Sequence, residues 1–167
     1  MYYKRKSIWI LIFTFFIFFS ILPLFFPFEK SIAQSRQKES SHPRLTSKIR
    51  KVLDCTTFLI GGGQRSTFVG ISKNQKRNPI TNHCFKFLKN LMEGQTVKLE
   101  IDKKLTDRYG QVQYYVFLQD GTFVNLLLIL RGFTRAVIKH PNTRYQKKLE
   151  TAERLARKHS KGIWENF

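Results

Sequence analysis

The 167 residues leave room for one domain plus an N-terminal extension. Lys and Arg number 30 against 11 Asp and Glu, a formal net charge of +19; so basic a surface argues against a cationic partner and favours nucleic acid, acidic lipid or acidic glycan. The two cysteines have no recognised metal-ligand spacing, even with His83 beside Cys84.

Taken in order, the chain opens with Lys4, Arg5 and Lys6, then Ser7 to Phe28, a 22-residue stretch without a charge and dense in Ile, Leu and Phe. That length suits a bilayer span. Pro23 and Pro27 break it late, and Ser31-Ile32-Ala33 matches a small-x-small cleavage site. Residues 1–33 are therefore expected to be a signal peptide or a transmembrane anchor. Either outcome places the folded part outside the cytoplasm, secreted or periplasmic if cleaved and membrane-tethered through residues 7–28 if not. Residues 34–47, polar and basic with Ser, Gln, Lys, His and Pro and few apolar side chains, read as a linker. Without Lys4, Arg5, Lys6, Lys30 and Glu29 the remainder carries 26 basic and 10 acidic side chains, or +16.

The domain is expected over 48–167. Lys48–Asp54 and Thr56–Ile60 read as strands, and Gly61-Gly62-Gly63 as a turn into a third, Gln64–Ile71. Asn78-Pro79 looks like a helix start, followed by Cys84, Phe87, Leu88 and Leu91 at helical spacing and a stop at Gly94. In Thr96–Ile101, Val97, Leu99 and Ile101 alternate with Lys98, Glu100 and Asp102, as in a half-buried strand. Lys103–Arg108 is a basic loop, Gln111–Leu118 a fifth strand and Asp120-Gly121 a turn. Phe123–Leu130 is apolar almost all round, as a buried helix would be. A last helix runs from Asn142 or Thr143 to Lys161, with Tyr145, Leu149, Ala152 and Ala156 inward and Gly162 capping it. Cys55 and Cys84 can pair in an oxidising compartment; Cys84 reads equally as a small buried residue.

KVLD at 51–54, TDRYG at 106–110, DGTFVNLLLILRGF at 120–133, HPN at 140–142 and GIWEN at 162–166 stand in an order and spacing that resembles the staphylococcal-nuclease-like (thermonuclease) family. The resemblance implies an α+β fold, mainly β: a five-stranded OB-type β-barrel carrying three helices. It also implies calcium-assisted phosphodiester hydrolysis, with carboxylates on the ion, a Glu activating water and two Arg holding the phosphate. Residue by residue that chemistry is missing. The family's Asp-Gly-Asp-Thr is Asp54-Cys55-Thr56-Thr57 here, so Thr56 stands for the second Asp. Thr67 stands at the first Arg, Ser72 and Lys73 at the Asp-Thr, Gln75 at the Glu and Gln111 at the second Arg. No intact catalytic residue, no metal ligand set and no cofactor are expected, the calcium site being lost. The family's base-stacking aromatics are replaced around Val137, Ile138 and Lys139.

The expected function is an inactive nuclease-like barrel kept as a basic module. It would bind nucleic acid or another polyanion weakly and without sequence preference. Arg65, Lys73, Lys76, Arg77, Arg108 and Tyr109 are the binding candidates. A weak calcium-dependent or metal-independent nuclease is the alternative, and a structural or protein-interaction barrel the second.

Overall fold

The structure, a computed structural model, describes residues 44–73 and 79–165. Five strands close into a barrel in the order β1-β2-β3-β5-β4. They are β1 (Leu45–Val52), β2 (Thr57–Ile60), β3 (Arg65–Phe68), β4 (Thr96–Glu100) and β5 (Val112–Phe117), with helices α1 (Pro79–Met92), α2 (Val124–Leu130) and α3 (Gln146–Lys158). All pairs are antiparallel except β3 with β5, where Ser66, Thr67 and Phe68 run parallel to Val112, Gln113 and Tyr114. The described residues form the expected OB-type barrel with three helices.

β1 starts at Leu45, inside the segment read as linker. Its first four residues carry a single apolar side chain, yet Leu45 to Lys48 pair in register with Leu99 to Thr96. Backbone pairing, rather than an apolar face, recruits them. β3 ends at Phe68 instead of Ile71, because Gly70 turns the chain at φ +76°. A side chain there would meet Leu149 Cδ1 at 2.4 Å.

The alternation read in β4 holds for Val97 and Leu99, both fully buried, and then inverts. Ile101 is exposed, whereas Glu100 and Asp102 are buried. The carboxylates go in because they are met. Glu100 Oε1 takes Arg144 Nη1 at 2.5 Å, Glu100 Oε2 takes Arg44 Nε at 3.1 Å, and the Tyr145 hydroxyl lies 3.1 Å from Oε1. Asp102 Oδ2 accepts the Tyr115 hydroxyl at 2.9 Å and the Arg144 backbone N–H at 3.1 Å. Burial and the bond to Asp102 push the Tyr115 phenol well above its ordinary value.

α1 buries Cys84, Leu88 and Met92, one face at four-residue spacing, with Phe87 and Leu91 half-buried beside it. Asn78, its expected cap, lies outside the described residues. α2 is not wholly apolar inside. Its buried Asn125 accepts the Val116 N–H at 2.9 Å and donates to the carbonyls of Val69 at 2.9 Å and Tyr114 at 3.2 Å. α3 spans less than expected. Leu149, Ala152 and Ala156 form its inner stripe, and Ser160, at φ +47°, turns the chain after it in place of Gly162. Trp164 then folds back and is buried, with the Arg157 guanidinium 3.9 Å above its ring.

Cys55 and Cys84 form a disulfide, Cα atoms 5.4 Å apart, fastening the β1–β2 turn to α1. It closes a loop across 29 residues of sequence; the constraint on the unfolded chain is worth about 3–4 kcal/mol. The double variant Cys55→Ser, Cys84→Ser should unfold at correspondingly lower urea, and dithiothreitol should move the wild type but not the variant.

Candidate nucleic-acid interface

The turn after β1 is where the resemblance places the first metal ligands. Here Asp54 is turned onto its own chain: its Oδ1 accepts the Thr56 N–H at 2.7 Å and the Thr56 hydroxyl at 2.8 Å. That is an Asx turn, a local use of the carboxylate. Thr56 and Thr57 are buried, their hydroxyl oxygens 3.4 Å apart. Thr67 lies opposite Thr57 in the β2–β3 register and is fully buried, so this family arginine position is part of the barrel wall.

Beyond β3 the backbone of Ser72 is held on both sides. Its N–H donates to the Arg135 carbonyl at 3.0 Å, and its own carbonyl accepts the Thr134 hydroxyl at 3.1 Å. The Lys73 ammonium forms an ion pair with Asp107. Gln75, Lys76 and Arg77 lie outside the described residues.

Asp107 organises a hairpin finger between β4 and β5. Thr106 bridges Val112, and the Gln113 N–H donates to the Leu105 carbonyl at 2.9 Å. At the tip, Asp107 Oδ1 accepts the N–H groups of Tyr109 at 2.8 Å and Gln111 at 2.9 Å. Gln111 thus takes part through its backbone. Burial works to raise the Asp107 pKa, but the Lys73 ammonium and the two N–H groups outweigh it, and the net position is below the ordinary carboxylate value. A depressed carboxylate stabilises the fold above its unfolded pKa and loses that contribution as pH falls through the folded one. The Lys73–Asp107 link is therefore intact at neutral pH and opens only in acid.

The finger forms one wall of a cleft of about 360 Å³. Phe68 to Lys73, at the end of β3, form the second wall, and the segment around Val137 to Asn142 the third. Asn142 fastens the third wall to the finger, its amide accepting the Lys104 N–H at 2.7 Å and donating to the Lys104 carbonyl at 2.9 Å. The Val137 N–H ties it to the Gly70 carbonyl at 3.0 Å. Lys73, Lys104, Arg108 and Lys139 thereby converge from three separate segments, with His140 among them and Asp107 the one acidic residue in the lining. Tyr109 is 65% exposed, with the Arg108 guanidinium 4.7 Å above its ring.

Of the residues named from sequence, Lys73, Arg108 and Tyr109 meet in this cleft. Arg65 does not: it is exposed, pairs with Leu59 and stands outside the lining. Sharing a strand face with Thr67 does not bring it there, because β3 meets the cleft only at its last residue, Phe68. Lys104, Lys139 and His140 escaped the sequence reading. The basic loop and the HPN element were each visible, but nothing local showed that Asn142 brings them together.

Asp54 Oδ1 is engaged by Thr56, Thr56 has no charge to offer, and Lys73 contributes a positive charge. A hard dication needs several anionic or carbonyl oxygens at one point. Among the described residues no three His, Cys, Asp or Glu side chains converge. What the cleft offers is cationic and planar groups, suited to phosphate oxygens and to the face of a base.

Residues 69–166 match the model of the family described as staphylococcal nuclease homologue. The thermonuclease of Staphylococcus hyicus is 33% identical over 130 residues, 72% of this chain and 76% of that protein. The thermonuclease of Staphylococcus intermedius is 30% identical over 148 residues, 83% of each chain. Barrel, helices and sequence agree, and the chain belongs to the staphylococcal nuclease homologue family.

Proposed function

We propose that this chain is a nuclease-family barrel that binds nucleic acid, or a comparable polyanion, in its cationic cleft without hydrolysing it. One observation carries the reading. The two carboxylates nearest the family's catalytic positions are used inside the protein, Asp54 by Thr56 and Asp107 by Lys73 and the finger tip. Among the described residues no free carboxylate cluster stands ready to hold a hard cation. Thr67 and Gln111, in place of two arginines, have no charge to set against a pentacovalent phosphate. Cations from three segments still supply what non-specific binding requires, a run of positive charge near exposed aromatic surface.

The test measures binding and cleavage on one labelled oligonucleotide. The purified protein should bind at low salt, with affinity falling steeply as salt rises. It should not cleave above background in millimolar calcium. Replacing Lys104, Arg108 and Lys139 by Ala should flatten the slope of log K against log salt by about two to three, each phosphate contact being worth roughly 0.7–0.9. The same three changes at Lys147, Arg154 and Lys158 on α3 should alter it much less. Calcium-dependent cleavage that Asp54→Ala abolishes would overturn the reading.

A further inference from the structure

Five large apolar side chains stand exposed among the described residues: Leu45, Ile101, Leu105, Tyr109 and Leu155. Scattered singly they would need no explanation. Four of them gather at one end of the barrel and on the finger that leaves it. Leu45 is paired with Leu99, so the first residue of β1 stands beside the last turns of β4, and Ile101 lies two residues further on. Leu105 is at the base of the finger, where its carbonyl accepts the Gln113 N–H, and Tyr109 is at the tip.

Between these apolar residues lie Lys103, Lys104 and Arg108, all exposed. No surface carboxylate opposes them within the stretch. Asp102 is buried against Tyr115 and the Arg144 backbone, and Asp107 is paired with Lys73. Aliphatic residues interleaved with unopposed cations are the composition of a surface that enters the boundary between headgroups and acyl chains. A nucleic-acid contact would use planar side chains, and Ile101, Leu105 and Leu45 offer no stacking face. The same end receives the chain from residues 1–43, whose sequence includes the uncharged stretch Ser7–Phe28.

We propose that Leu45 and the Ile101–Tyr109 segment form a membrane-surface contact that seats this end of the barrel on an anionic bilayer. Ile101, Leu105 and Tyr109 enter the interface, while Lys103, Lys104 and Arg108 meet acidic headgroups. The contact shares Lys104, Arg108 and Tyr109 with the cleft, but Leu45, Ile101 and Leu105 stand outside the cleft lining, and they are what separates it from the nucleic-acid reading.

The experiment uses the full chain, oxidised so that Cys55 and Cys84 are joined. An environment-sensitive fluorophore is attached at Leu105→Cys, an exposed position outside the core, and in a second preparation at Leu155→Cys on α3. Each is mixed with phosphatidylcholine vesicles with or without phosphatidylglycerol. The label at 105 should shift to the blue in the phosphatidylglycerol vesicles and the label at 155 should not. Lys103→Ala or Lys104→Ala should each reduce the bound fraction's association constant about fivefold, as expected for one cation at an anionic surface. Equal emission from the two positions in both vesicle types would overturn the proposal. So would a shift at 105 that an oligonucleotide produces and phosphatidylglycerol does not, which would make the finger a nucleic-acid contact instead.

Discussion

Replacing Arg44 and Arg144 together by alanine should destabilise the domain by about 3–5 kcal/mol, the usual consequence of leaving one buried charge without its partners. Glu100 is only 1% exposed, whereas the arginine side chains are 21% and 25% exposed. The asymmetry sets the direction of the comparison. Removing the arginines strands a carboxylate in the core with only the Tyr145 hydroxyl beside it. Removing the acid's charge, as in Glu100→Gln, leaves two guanidinium groups that already reach water, and Arg144 keeps its bond to the Ile101 carbonyl. The second change should therefore cost about 1–2 kcal/mol, closer to the loss of a hydrogen bond to a charged group. Urea unfolding followed by circular dichroism distinguishes the two. Equal losses would mean that the network is held by Glu100 alone.

Asn125→Leu should be the other severe change, costing about 2–5 kcal/mol although it keeps the number and branching of side-chain heavy atoms and leaves the helix propensity of α2 unharmed. The amide stands where β3 has ended and β5 continues. Without it the Val116 N–H and the Val69 carbonyl are left buried with no partner, while the Tyr114 carbonyl keeps the Val69 N–H at 3.0 Å. Each orphaned group costs roughly 1–3 kcal/mol. Against a typical domain stability of about 5–15 kcal/mol that is a large fraction. A midpoint shift in urea with an unchanged slope is the expected signature. A variant as stable as wild type would show that water replaces the amide.

These two sites also show what the sequence discloses and what it withholds. Periodicity carries the burial of Val97 and Leu99, of Cys84 and Leu88, and of Leu149, Ala152 and Ala156, because those side chains obey the local rule of strand or helix. It fails at Glu100, Asp102, Ile101 and Asn125. Their environments are made by Arg44, Arg144, Tyr115, Val69 and Val116, residues outside the same strand or helix, and no local pattern encodes such partners. The candidate interface divides in the same way. The replacement of the charged residues that the family resemblance implies, by Thr56, Thr67, Ser72, Gln75 and Gln111, is legible in the sequence. That Lys73 would bind Asp107, or that Asn142 would draw Lys104 and Lys139 to one cleft, is a product of closure.

The parallel pairing of β3 with β5 has a consequence for how the chain acquires its shape. β1, β2 and β3 can zip together as they leave the ribosome, since each meets the next across a short turn. Of the three remaining seams, β4 with β5 can close without α1, whereas β3 with β5 and β1 with β4 join strands separated by the whole of α1. Loop closure over such distances is slow relative to hairpin formation. A chain interrupted before Thr96 would carry a three-stranded sheet with both edges unpaired, the kind of edge on which strands from other molecules add. The vulnerable period of this protein thus falls between the synthesis of β3 and that of β5, when chaperone capture or a pause in elongation has most to decide.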